Sequence, residues 1–156
     1  MIYKIEVSNK KGFPDKHGEH VCHDVKDIGL RGVSGVKYSP IYRFDGDVTG
    51  LDITRIASEL LIDPITEEYS ANTQDAADKQ KHAKGEHIIE VWLKGGVTDT
   101  VAESVQKAVK DLGISTPLKV KTGHKFTFSG SAKAATIKQI AEKLLANPMV
   151  QEYIIE

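Results

Sequence analysis

Shifted by 84 residues, this chain aligns with itself without a gap. Ile5-Glu6-Val7 meets Ile89-Glu90-Val91, and Gly12 and Asp15 meet Gly96 and Asp99. Val25-Lys26-Asp27 meets Val109-Lys110-Asp111, and Gly29 meets Gly113. Toward the end of each half, Leu60-Leu61 meets Leu144-Leu145, Pro64 meets Pro148, and Glu68-Tyr69 meets Glu152-Tyr153. When turn and helix-stop residues recur in register, the fold they punctuate recurs too. A unit of roughly 70 residues hides only about 60 % of its unfolded surface, so a repeat of this size gains by pairing. The duplication therefore points to assembly before chemistry.

Composition narrows the partners. Lys plus Arg is 21 against 22 for Asp plus Glu, a formal net charge of −1. Nucleic-acid binding favours a basic excess, so that partner is not expected. No apolar run approaches the ~20 residues that span a bilayer, and no membrane association is expected. The opening Met1-Ile2-Tyr3-Lys4 does not read as a signal peptide. With Cys22 as the single cysteine, no intrachain disulfide can form, and a reducing cytoplasm is the expected compartment.

Each half reads as strand, helix, strand, strand, helix and a final strand. Tyr3, Ile5 and Val7 alternate with Lys4, Glu6 and Ser8, the period of a half-buried strand. Pro14 and Asp15 open a helix with Val21, Cys22, Val25 and Ile28 on one face, closed by Gly29. In the second copy Val97, Val101, Val105, Ala108, Val109 and Leu112 fall at helical spacing before Gly113, and Thr100 with Glu103 matches a capping box. Hairpins are predicted around Ser39-Pro40 and Gly123-His124. Ile53, Ile56, Ala57, Leu60 and Leu61 mark the second helix, matched by Ile137, Ile140, Ala141, Leu144 and Leu145. Asp63-Pro64 and Asn147-Pro148 end these helices, because proline donates no hydrogen bond and restricts its predecessor. Val150 to Ile155 supplies a last strand.

The expected organisation is a first module at 1–69, a polar linker at 70–86 and a second module at 87–156. The apolar face of each sheet (Tyr3, Ile5, Val7, Tyr42 and Phe44 in the first) should sit under that module's own two helices. The opposite face carries Lys4, Glu6, Arg43, Lys119, Lys121 and Thr127. Ile88 and Trp92 break its polarity and mark a contact surface, read first as module against module.

Candidate chemistry is sparse. His17, His20 and His23, with Cys22 and Asp24 beside them, offer zinc or copper ligands. Three histidines strung along two helical turns sweep a wide arc, and the aligned residues Val101, Ser104 and Lys107 show that the fold does not need them. Cys22 lies beside the apolar stripe, as a small core residue would. Lys94-Gly95-Gly96 lacks the glycine pattern and the Lys-Ser/Thr ending of a phosphate loop and reads as a strand-to-helix turn. The sequence assigns no catalytic, cofactor-binding or metal residue.

The punctuation itself resembles a known family. Leu144-Leu145-Ala146-Asn147-Pro148 followed by Glu152-Tyr153 is similar to the C-terminal end of the PurS family, the small subunit of phosphoribosylformylglycinamidine synthase. Copy one carries a looser version in Leu60-Leu61-Ile62-Asp63-Pro64 with Glu68-Tyr69. Its Asp15-Lys16-His17-Gly18 resembles the Asp-Pro-x-Gly helix start of that family, with Lys16 in place of proline. The resemblance covers both halves and omits the linker. It implies an α+β protein of two tandem βαββα(β) modules with antiparallel sheets, related by a pseudo-twofold axis like a dimer of PurS subunits. It implies a subunit, or N-terminal domain, without catalytic residues or cofactors of its own. Such a subunit bridges the ATP-dependent synthetase and the glutaminase of an amidotransferase ligase in de novo purine synthesis. Module pairing within the chain, and further homo-oligomers, fit that role. The main rival reading is a tandem ferredoxin-like regulatory domain that binds an amino acid or a nucleotide.

Overall fold

The structure, a computed structural model, describes residues 1–73 and 86–156. Among the described residues, six antiparallel strands and four helices follow one another in two similar series. Strand β1 spans Ile2–Asn9, helix α1 Lys16–Asp27, β2 Val33–Gly46, α2 Gly50–Ile56 and β3 Glu67–Thr73. The second series is β4 His87–Leu93, α3 Thr100–Asp111, β5 Leu118–Gly130, α4 Ala134–Ile140 and β6 Gln151–Ile155. Hydrogen-bonded neighbours run β3-β1-β2-β5-β4-β6. Both α2 and α4 end in one wider π turn, Ala57–Leu61 and Ala141–Leu145.

The helices start and stop as their sequences dictate, with one exchange of roles. Asp15 caps α1 by accepting from the Gly18 N–H at 2.9 Å, and Asp99 caps α3 from the Ala102 N–H at 2.9 Å. The cap of α3 is thus Asp99, one residue before the predicted Thr100. The reciprocal box sits on α2 instead, between Thr49 and Asp52. Each carboxylate satisfies a helix N–H that has no intrahelical partner and favours the positive end of the helix dipole. Gly29 and Gly113, at φ +81° and +88°, close these helices in the left-handed conformation that only glycine adopts without strain. Behind them Leu30 N–H reaches Val25 O and Ile114 N–H reaches Val109 O, both at 3.3 Å, completing Schellman closures. Ile28, predicted on the buried face of α1, is at this cap and is 44 % exposed.

Neither predicted hairpin forms. Val33–Gly46 is one unbroken strand, and so is Leu118–Gly130. Pro40 lies one residue beyond the β1–β2 register, which ends at the pair Glu6–Ile41, so its missing N–H removes no bond from that ladder. Gly123 marks a close approach. It faces Trp92 in the β4–β5 register, and a Cβ there would stand 2.7 Å from the indole Cε3 and 2.7 Å from Val91 O. Trp92, expected at a contact surface, covers this glycine, and its Nε1–H donates to Glu90 at 3.2 Å. Ile88 and Glu90 beside it are both buried. The predicted linker also shortens, because Ser70–Thr73 continue β3 and pair with β1 from Tyr3–Thr73 to Glu6–Ser70. The remainder of that linker, 74–85, lies outside the described residues.

The chain divides into two compact units that do not coincide with the sequence halves. Of the described residues, unit one gathers 1–13, 40–73 and 98–122; unit two gathers 14–39, 86–97 and 123–156. In the core of unit one, Ile5, Val7 and Phe44 from copy one meet Ala102, Val109 and Val120 from copy two, with Ile53 and Ile56 of α2. In the core of unit two, Val21, Val25 and Val33 from copy one meet Ile89, Val91, Phe126 and Phe128, with Ile137 and Ile140 of α4. Each sheet therefore packs under its own second helix and the other copy's first helix, which corrects the expectation that it would use its own two. The reason is chain continuity. With no turn at Ser39-Pro40 or at Gly123-His124, the first half of each long strand stays with its preceding helix while the second half enters the other unit. Fully burying side chains such as Ile5, Phe44, Ile89 and Phe128 stabilises the units by about 1.5–3 kcal/mol each.

Candidate functional site

The histidines of α1 part company in unit two. His20 pairs with Asp24 at 3.4 Å and His23 with Asp27 at 3.1 Å, both exposed i,i+4 contacts. His23, Asp24 and Asp27 bring their ligand atoms within 4.8 Å of one another, but His17 and His20 do not join that group. Cys22 is half-buried against the unit-two core. His17 turns the other way and stacks on Tyr38 with ring centroids 3.7 Å apart and planes 18° from parallel.

Tyr38 is the hub of this corner. Its hydroxyl shares a 2.6 Å hydrogen bond with His124 Nδ1, and its ring lies 5.3 Å from that of Phe126. Its backbone N–H donates to Asp15 Oδ2 at 2.7 Å, so one carboxylate both starts α1 and ties it to β2. Sequence reasoning assigned Tyr38 and His124 to hairpins and did not connect them. The available signal was the aspartate, recurring as Asp99 and reaching Thr122 over the same span of 23 residues.

The second repeated device lies where each second helix hands over to its last strand. Lys10 Nζ donates to Pro64 O at 2.6 Å, and Lys94 Nζ donates to Pro148 O at 2.6 Å. Glu67 accepts from Asp63 N–H and Gln151 from Asn147 N–H, each at 2.8 Å. Asp63 Oδ1 accepts from Ile65 N–H at 2.9 Å, and Asn147 Oδ1 from Met149 N–H at 3.1 Å. Both loops are thus braced from three sides, and each presents a large apolar side chain to solvent. Ile65 is 75 % exposed and Met149 83 %. A braced loop holds its tip in one conformation at little entropic cost on docking, the property of a pre-organised contact rather than of a reacting group. β3 and β6, which follow these loops, end the strand order and, among the described residues, have one neighbour each, leaving edges that a partner strand can use.

Two tyrosine hydroxyls near these strands are held above their ordinary range. Burial, then the Glu67 carboxylate, raises Tyr42. The hydrogen bond to Glu142 at 2.8 Å, then burial, raises Tyr153. Both stay neutral at physiological pH and act as donors or packing groups.

Comparison with known proteins covers both copies. The family model described as PurS, phosphoribosylformylglycinamidine (FGAM) synthase, matches residues 2–75 and again 86–156. A curated relative, the phosphoribosylformylglycinamidine synthase subunit PurS of Archaeoglobus fulgidus, is 37 % identical over 70 residues. That alignment spans 88 % of the relative and 42 % of this chain, so the relative is about one copy long. No described helix is long and apolar enough to cross a membrane.

Proposed function

Because the chain belongs to the PurS family, we propose that it serves phosphoribosylformylglycinamidine synthase as a non-catalytic assembly subunit that holds the synthetase and the glutaminase together. Family membership supports the coarser role, participation in purine biosynthesis. The observation that carries the finer reading is the family match in duplicate, combined with contacts repeated in both copies for stiffness. Ammonia passed between two active sites is protonated and lost if it reaches bulk water, so the enzymes must stay docked during turnover. A scaffold does that with shape, and the braced tips at Ile65 and Met149 and the edges of β3 and β6 are shape. A cytoplasmic location goes with this reading.

Co-expression with the synthetase and glutaminase of the same genome tests it. Size-exclusion chromatography with light scattering, in the presence of glutamine and nucleotide, should give one complex containing all three chains. Ile65→Asp together with Met149→Asp should weaken that complex at least tenfold (about 1.4 kcal/mol) while leaving the melting temperature of the isolated chain unchanged. Separate elution of the three components contradicts the proposal. Tight binding of an amino acid or nucleotide by the isolated chain favours a regulatory domain instead.

A further inference from the structure

Unit one contains a charged hollow that the assembly role does not call upon. Arg43 and Asp45 of β2 and Lys119 and Lys121 of β5 line a cavity of about 250 Å³. Phe44 and Val120, the residues between them, belong to the core of the unit, so strand alternation puts these four side chains on the face away from that core. Arg43 and Lys121 are half-buried, and Asp45 and Lys119 are exposed. Among the described residues, none of the three cations forms an ion pair, with Asp45 or with any other carboxylate.

The repeat shows that the fold does not need this charge. At the aligned positions of unit two, Thr127 replaces Arg43, Ser129 replaces Asp45, and Gly35 replaces Lys119, with Lys37 alone keeping its charge. Gly35 and Ser129 are close neighbours there, since a Cβ at Gly35 would lie 3.8 Å from Ser129 Oγ. The same cross-strand corner thus holds a single cation, Lys37, in unit two and three cations with one carboxylate in unit one. Converging cations repel one another and resist desolvation unless an anion offsets them.

We propose that this cavity binds a phosphate monoester. Three cations against one carboxylate leave two positive charges over, which a phosphate dianion cancels and a carboxylate would only halve. The Arg43 guanidinium offers the planar fork that grips two phosphate oxygens, and the lysines add point charges. The volume falls below the ~300–1,000 Å³ of pockets that engulf a drug-sized ligand, which selects a free phosphate or a small sugar phosphate over a nucleotide. The proposal does not depend on the assembly role and stands or falls separately.

Two-dimensional NMR of the full chain, titrated with inorganic phosphate or ribose 5-phosphate at constant ionic strength, tests it. Saturable shifts should centre on Arg43, Lys119 and Lys121, and chloride at equal ionic strength should not reproduce them. Arg43→Gln and Lys121→Gln should each weaken binding about tenfold or more, and Lys37→Gln should leave it unchanged. Tighter binding of ribose 5-phosphate identifies a sugar phosphate; equal binding identifies phosphate itself. Shifts without saturation, shifts centred elsewhere, or affinity indifferent to Arg43→Gln overturn the proposal. The shift map of the unsubstituted chain decides the matter even if a variant fails to fold.

Discussion

At the start of their first helices the two units carry the same aspartate, but the strand it reaches carries different partners. In unit two, Asp15 grips the backbone of Tyr38, whose ring is stacked on His17 and whose hydroxyl is bound to His124. In unit one, Asp99 grips the backbone of Thr122 and takes the threonine hydroxyl as well, at 2.9 and 3.0 Å. On the face away from the core the contrast reverses, with unit one holding the basic hollow and unit two keeping only Lys37 of its charges. What stays constant between the units is the cap, the helix closure, the braced loop and the core. What differs lies on surfaces the fold does not need. A duplicated fold can thus keep its stability in the repeated residues and leave single copies free to acquire binding properties.

The core sets the largest expected effect. Phe44 and Phe128 are aligned and almost fully buried, one in each unit. Alanine at either position should cost about 3–5 kcal/mol in chemical denaturation. Two values within about 1 kcal/mol of each other support equivalent cores; a several-fold difference breaks the comparison.

The caps should differ in a way the cores do not. Asp15→Ala removes two backbone partners, for a loss of about 1–2 kcal/mol. Asp99→Ala also strands the Thr122 hydroxyl and should cost about 1 kcal/mol more. Equal losses would show that the threonine contributes nothing beyond its backbone.

Alkaline pH sharpens the contrast further. The fold favours neutral Tyr42, so its contribution is whole below the unfolded value of 10.0 and is lost as pH rises through the higher folded value. Unit two has Phe126 at the aligned position and no such dependence there. Tyr42→Phe should therefore flatten the fall in stability above pH 10, as read by denaturation at stepped pH. An unchanged slope would remove Tyr42 as its source.

Much of this was legible in the chain. The offset located both copies and their helix stops, although each predicted hairpin is one continuous strand and β3 runs on into the predicted linker. Pro64 and Pro148, Gly29 and Gly113, and Asp15 and Asp99 act locally, through backbone conformations and hydrogen bonds that neighbouring residues fix. The exchange of first helices was not legible, because apolar periodicity says which face of α1 is buried and not which sheet covers it. Pro40 and Gly123 misled for a related reason. Both are turn residues by habit, and only the pairing register shows one just past the end of a ladder and the other beneath a tryptophan. The corner of His17, Tyr38 and His124 joins residues up to 107 positions apart in a single chain, beyond any local pattern.

The central claim is that each core needs both copies, and dividing the chain tests it most directly. Residues 1–73 and 86–156 should be produced as separate polypeptides and followed by light scattering and thermal unfolding, alone and mixed. Neither piece alone should be a folded monomer, since each unit would lack the helix that brings Val109 or Val25 to its core. The equimolar mixture should form a one-to-one complex with a cooperative transition. A stable, folded monomer of either piece would contradict the account.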